Sequence, residues 1–151
     1  MIPVGFWKQQ NIEDDERPDP STLVDLDWQG HCEHLDWILS YIQGKLYDVV
    51  FLESYELGYS YCRFQTCPST NPKDLGACTL TDGTYVWPEG LYHYVTLHHV
   101  KPPDDFLAFI ESRYSTAPPS QATLQLYDVE SQAPKPIPNA MRKWLTDHTT
   151  M

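Results

Sequence analysis

No run of eighteen apolar residues occurs in this chain, which excludes a membrane-spanning helix. The opening MIPVGFWKQQNIEDDE has no basic segment leading into an apolar one, so it does not read as a secretory signal. The expectation is a cytoplasmic protein with no membrane partner. Positive charge is scarce: ten Lys and Arg stand against 21 Asp and Glu, a formal net charge of −11. The ten cations are scattered and form no stripe, which argues against binding a nucleic-acid backbone. There is no nucleophile elbow, no phosphate loop and no kinase-like set of motifs. There is no internal repeat. Glycine is sparse at seven while proline numbers thirteen, a balance that suits short elements joined by irregular chain. Only four cysteines occur, Cys32, Cys62, Cys67 and Cys78, and without an export signal disulfides are not expected.

What is present suffices for a core. Hydrophobic residues make up 41% and aromatics 13% of 151 residues, which predicts a single domain over 1–151. An acidic, proline-broken loop over about 8–22 and a Pro-rich tail over about 116–138 read as less regular. From Asp27 to Gln43, Leu35, Ile38, Leu39 and Ile42 recur at helical spacing, widened by Trp28, Trp37 and Tyr41, with Gly44 as the stop. Tyr47 to Leu52 and Tyr59 to Phe64 read as strands, and residues 68–77 as loop. Asp82-Gly83 is a hairpin signal between Cys78–Thr81 and Tyr85–Trp87. Pro88 should end that strand and open a helix, with Glu89 near its positive end. A second helix should follow Pro103-Asp104-Asp105, a short strand falls in ATLQLYDV, and a terminal helix spans Ala140 to His148. The expected fold is α+β: a small antiparallel sheet, with the hairpin at Asp82-Gly83, packed by three or four helices. The first helix and the one after Pro88 should cover the same sheet face.

Cysteine and histidine spacing supplies the chemistry. Cys62 and Cys67 are separated by four residues after a strand candidate, and His93 and His98 by four residues on a helix, with the hairpin between the pairs. Ribbon then helix, with a Cys pair and a His pair, is the layout of a two-Cys two-His zinc site. Two features strain the match. Twenty-five residues separate Cys67 from His93, and five positions set His93 and His98 about 140° apart on an ideal helix. The two imidazoles converge only if the last turn tightens, and Cys78 is an alternative ligand. The competing reading makes Cys62 and Cys78 core. It places His98 on the apolar stripe with Leu91, Tyr94 and Val95, and leaves His93 in solvent. His31, Cys32 and His34 lack ligand spacing. A catalytic alternative pairs Glu89 with His93 as acid and base, or uses His93, His98 and a carboxylate around an open zinc.

The runs "YSYCRF", "LTDGTYVWPEGLYHYV" and "HHVKPPDDF" resemble a family of small, functionally uncharacterised bacterial proteins over about Tyr59 to Phe106, a third of the chain. Members carry a second Cys three positions after the first, where this chain has Gln65, with Cys67 two residues further on. The resemblance implies a fold and no activity. Charge and size lead to the functional expectation of a non-enzymatic, soluble, acidic interaction protein, immunity-like or inhibitor-like toward a basic protein partner. The alternative is a zinc-binding protein or metal-dependent hydrolase using the His93/His98 region.

Overall fold

A computed structural model describes residues 1–9, 15–56, 58–116 and 124–137. In chain order its elements are strand β1 (Ile2–Pro3), helix α1 (Leu35–Gln43), strands β2 (Phe51–Tyr55), β3 (Cys78–Thr81) and β4 (Tyr85–Pro88), helices α2 (Leu91–His98) and α3 (Asp104–Ser112), and strands β5 (Leu126–Asp128) and β6 (Ala133–Lys135). The fold is mixed α and β. The six strands form one sheet in the order β1-β4-β3-β2-β5-β6.

That sheet corrects the expectation of a small antiparallel one. β2, β3 and β4 are antiparallel, but β1 pairs parallel to β4 and β5 parallel to β2. Both additions are two or three residues long and come from distant parts of the sequence, so no hairpin signal announces them. The hairpin at Asp82-Gly83 is present, and Gly83 takes a φ of 93° that favours glycine. Asp82 Oδ1 accepts from the amides of Thr84 (2.8 Å) and Tyr85 (2.6 Å), and Oδ2 accepts from the Tyr41 hydroxyl (2.7 Å). One carboxylate thus closes the turn and ties it to α1.

The register places Leu52, Leu80 and Trp87 side by side, all fully buried. Tyr41 stacks on Trp87, with ring centroids 5.8 Å apart, and the Trp87 indole donates to the Ile42 carbonyl at 2.8 Å. Phe106 of α3 packs against both rings, and Ile38, Leu91, Val95 and Ile110 fill in around them. α1 and α2 therefore share one core with the hairpin, as expected.

Several boundaries differ from expectation. Residues 27–34 do not continue α1. Trp28–His31 is a separate 3-10 turn, and Cys32 is extended, with φ −89° and ψ 123°. Tyr47 to Val49 form a turn and the strand starts at Phe51, while 59–64 is not a strand. Pro88 is the last strand residue, paired with Thr79, and α2 begins at Leu91. The terminal helix expected over 140–148 lies outside the described residues. No helix among the described residues is long and apolar enough to cross a membrane.

Candidate metal centre

From residue 56 to 74 no described residue is buried, and from 56 to 77 none is in a helix or strand. The sequence there is short on aliphatic residues and carries pairs of Ser, Thr, Pro and Tyr, so it forms no continuous apolar face. Two backbone bonds join the ends of the segment to each other, from the amide of Glu56 to the Ala77 carbonyl (2.7 Å) and from the amide of Ser60 to the Gly76 carbonyl (3.0 Å). Within it, Phe64 to Cys67 form a tight turn, with the Cys67 amide on the Phe64 carbonyl. The Phe64 amide points at Cys62 Sγ, 3.4 Å away. That turn brings both thiols to one side.

α2 presents the facing pair. Cys62 Sγ lies 3.3 Å from His98 Nε2, and Cys67 Sγ lies 3.4 Å from His93 Nε2. All four donor atoms fall within 4.8 Å of one another. Among the described residues this is the one group of three or more His, Cys, Asp or Glu donors gathered at metal-binding range. Zn–S bonds of about 2.3 Å and Zn–N bonds of about 2.0–2.1 Å, set tetrahedrally, require S···N separations of roughly 3.6 Å. The two measured separations sit close to that value.

The imidazoles converge by a route the sequence did not suggest. The last turn of α2 widens rather than tightens. His99 adopts a left-handed conformation with φ 55°, and its amide and that of Val100 both reach back to the Tyr94 carbonyl, five and six residues earlier. Histidine is among the residues that tolerate this conformation better than most. The burial order is also the reverse of the core reading: His93 is 6% exposed and His98 is half-buried. Phe64 stacks flat on His98, with centroids 4.1 Å apart and planes 6° from parallel. Tyr94 meets His93 edge to face at 5.7 Å, and its hydroxyl accepts the Arg63 amide at 2.9 Å.

Burial holds both imidazoles below their ordinary value, against an opposing pull on His93 from the Asp74 carboxylate and with a further downward push on His98 from His93 and His99. Both rings are therefore neutral near pH 7, the form that ligates a metal. Burial pushes the Cys62 thiol up to about 11, while the Phe64 amide works in the other direction. A cation seated here would displace the thiol proton.

The remaining candidates lie elsewhere. Cys78 is buried beside Glu89 and is not in the cluster. Glu89 is no partner for His93. Its Oε1 accepts from the amides of Ala77 (2.6 Å) and Cys78 (3.1 Å), locking the end of the loop onto the start of α2. Gly76, with φ 63°, leaves room for this lock, because a Cβ there would overlap the Glu89 carboxylate. That pairing replaces the expected helix-end role of Glu89. The pattern Gly-Ala-Cys followed by Pro-Glu-Gly was its only trace in the sequence. His31 Nδ1 lies 2.8 Å from the Asp27 carbonyl, and His34 is paired with Glu111 at 3.1 Å and stacked on Tyr114, so neither joins Cys32 in a site.

No family model, no curated protein and no solved structure matches this chain.

Proposed function

We propose that this is a zinc-binding protein in which Cys62, Cys67, His93 and His98 hold one ion as a structural centre. The observation that carries the reading is the convergence of two thiols and two imidazoles, all four donor atoms within 4.8 Å, from segments twenty-five residues apart. Two isolated thiol–imidazole hydrogen bonds would not require the pairs to sit on each other. Four protein donors fill a tetrahedral shell and leave no open position for substrate, and the carboxylate of Glu89 is engaged with backbone amides. These points favour a structural ion over a hydrolytic one. The ion would pin the 59–77 segment to α2, adding to the stacking of Phe64 on His98. The resemblance to the uncharacterised bacterial family supplies no activity beyond this. A role in binding a basic protein partner draws its support from the net charge of −11, with no residue yet attached to it.

Elemental analysis of protein purified without chelators tests the reading. One zinc per chain is expected, falling to a small fraction in Cys62→Ala and in His93→Ala. Protein that is folded, contains no zinc and takes up none when Zn(II) is added would sink it.

A further inference from the structure

The two sulfurs of the Cys/His cluster have their own approach from solvent. Cys62 and Cys67 both line an open concavity of about 370 Å³, together with Ser69, Thr70 and Asn71. Neither His93 nor His98 lines it, so in this concavity the cluster shows sulfur and no imidazole. Both thiols are half-buried, whereas His93 is buried. The hydroxyl and amide groups around the sulfurs suit a small polar reagent.

The thiols are also placed for each other. Their Sγ atoms lie within 4.8 Å, and a disulfide needs about 2.05 Å. The turn from Phe64 to Cys67 takes up that movement, since among the described residues 56–77 carry no helix or strand. His93 and His98 belong to α2 and need not move. The other two cysteines lack this arrangement. Cys78 is buried, and Cys32 lines a different concavity in which no second thiol appears. A cysteine reached by solvent, with a second thiol beside it, is the arrangement in which a sulfenic acid made by peroxide is captured as a disulfide.

We propose that Cys62 and Cys67 are a peroxide-sensitive pair whose oxidation to a disulfide expels the ion. The expulsion rests on the zinc reading, and the disulfide does not. One sulfur, as thiolate, attacks the peroxide O–O bond, keeps one oxygen as a sulfenic acid and releases the other as hydroxide. The second thiolate attacks that sulfur, forms the S–S bond and releases the remaining oxygen as hydroxide. The sulfur pair gives up two electrons, the peroxide takes them, and two solvent protons turn the hydroxides into water. Two neutral imidazoles are left, half of a tetrahedral shell with no charge to match Zn(II), so the ion departs. The test takes the full chain, its zinc content measured first, and adds hydrogen peroxide in slight excess under a colorimetric zinc indicator. Loss of two of the four thiols and release of one zinc per chain should run together. Trypsin cuts after Arg63, between the two cysteines, so a Cys62–Cys67 bond joins peptide 46–63 to peptide 64–73 in the mass spectrum. That linked pair should be the main product, and dithiothreitol should separate it and restore zinc uptake. Zinc release with Cys62 or Cys67 carried on to a sulfinic acid, and no linked peptides, would overturn the proposal. So would zinc retained in the linked chain, a bridge to Cys32 or Cys78 as the main product, or loss of these two thiols no faster than loss of Cys32. Linked peptides from a chain that neither carries nor takes up zinc would support the disulfide and sink the zinc reading, which keeps the two failures distinct.

Discussion

The stretch from 78 to 100 and the stretch from 56 to 77 are adjacent in sequence and opposite in construction. The first is a hairpin and a helix whose apolar residues point inward, with Leu80, Trp87, Leu91, Val95 and Val100 at or near zero exposure. Its backbone groups are paired in a ladder and a helix. Among the described residues the second has neither ladder nor helix, and nothing buried before Leu75. Burial at about 25 cal/mol per Å² stabilises the first without help. The second must borrow its order from contacts that do not scale with area: the Glu89 lock at one end and the Cys/His cluster in the middle. The difference teaches that the histidines of α2 have one foot in each region. They belong to the helix, and their rings meet Cys62, Phe64 and Cys67 of the loop.

The sharpest way to break the comparison is to attack the first region and ask whether the second survives. Trp87→Ala removes the ring that Tyr41 and Phe106 pack on and the indole bond to Ile42. It should cost about 3–5 kcal/mol, as large aromatic truncations in cores do. Denaturant unfolding followed by far-UV and near-UV circular dichroism should show both signals lost together at a lower midpoint. A loss confined to near-UV signal, with an unchanged midpoint, would show that the hairpin core is not what holds the domain.

A smaller and more local loss should follow from attacking the second region. Cys67→Ala and His93→Ala should each abolish the ion's contribution, about 2.7 kcal/mol when free zinc is a hundredfold above its dissociation constant. A chelator should lower the melting temperature of the parent and leave those of both variants where they are. Limited proteolysis should cut the variants within 58–74 while the 78–100 stretch resists, because local opening is drawn from segments with few buried contacts. If instead His93→Ala is costly through loss of a buried ring while His98→Ala and the chelator change little, the cluster is a pair of ordinary side-chain contacts.

The same contrast explains what was legible in the sequence. Hairpin, helix stripe and α3 announce themselves because turn chemistry and apolar periodicity are local. Asp82-Gly83, the Leu35–Ile42 stripe and Pro103-Asp104-Asp105 each stand where expected. The grouping of Cys62, Cys67, His93 and His98 was readable from residue type and spacing, although the widened turn at His99 was not. Nor was the exchange of burial between these two histidines, since a stripe with Leu91 and Tyr94 says nothing of the loop that covers the other side. β1 was missed, and β5 was read as a strand without its parallel pairing to β2, because parallel pairing of two or three residues is decided by partners far along the chain. Short aromatic runs at 47–52 and 59–64 looked like strands on composition, yet only the first is near one, because sheet propensity depends on the neighbour available.

The smallest effect concerns the junction of the two regions, and its sign can be worked out. Glu89 is 6% exposed, and burial raises its carboxyl above the ordinary value, against the lowering pull of the Ala77 and Cys78 amides and the Cys78 thiol. Cys78, from β3, is the titratable group facing it, and its own thiol is pushed up by burial first and by the Glu89 charge second. A carboxyl whose folded value lies above its unfolded one binds its proton more tightly when folded. Its contribution to stability is therefore fully present below the unfolded value, about 4.3, and is lost as pH rises through the folded value. Glu89→Gln keeps an oxygen for the two amides and cannot titrate. Urea unfolding of parent and variant, measured from about pH 4 to pH 8, should give a stability difference that shifts against the parent with rising pH and then levels. A flat difference would mean that the two amides hold Glu89 as an ordinary carboxylate. The lock between loop and helix would then be insensitive to pH, and the junction would belong wholly to the first region.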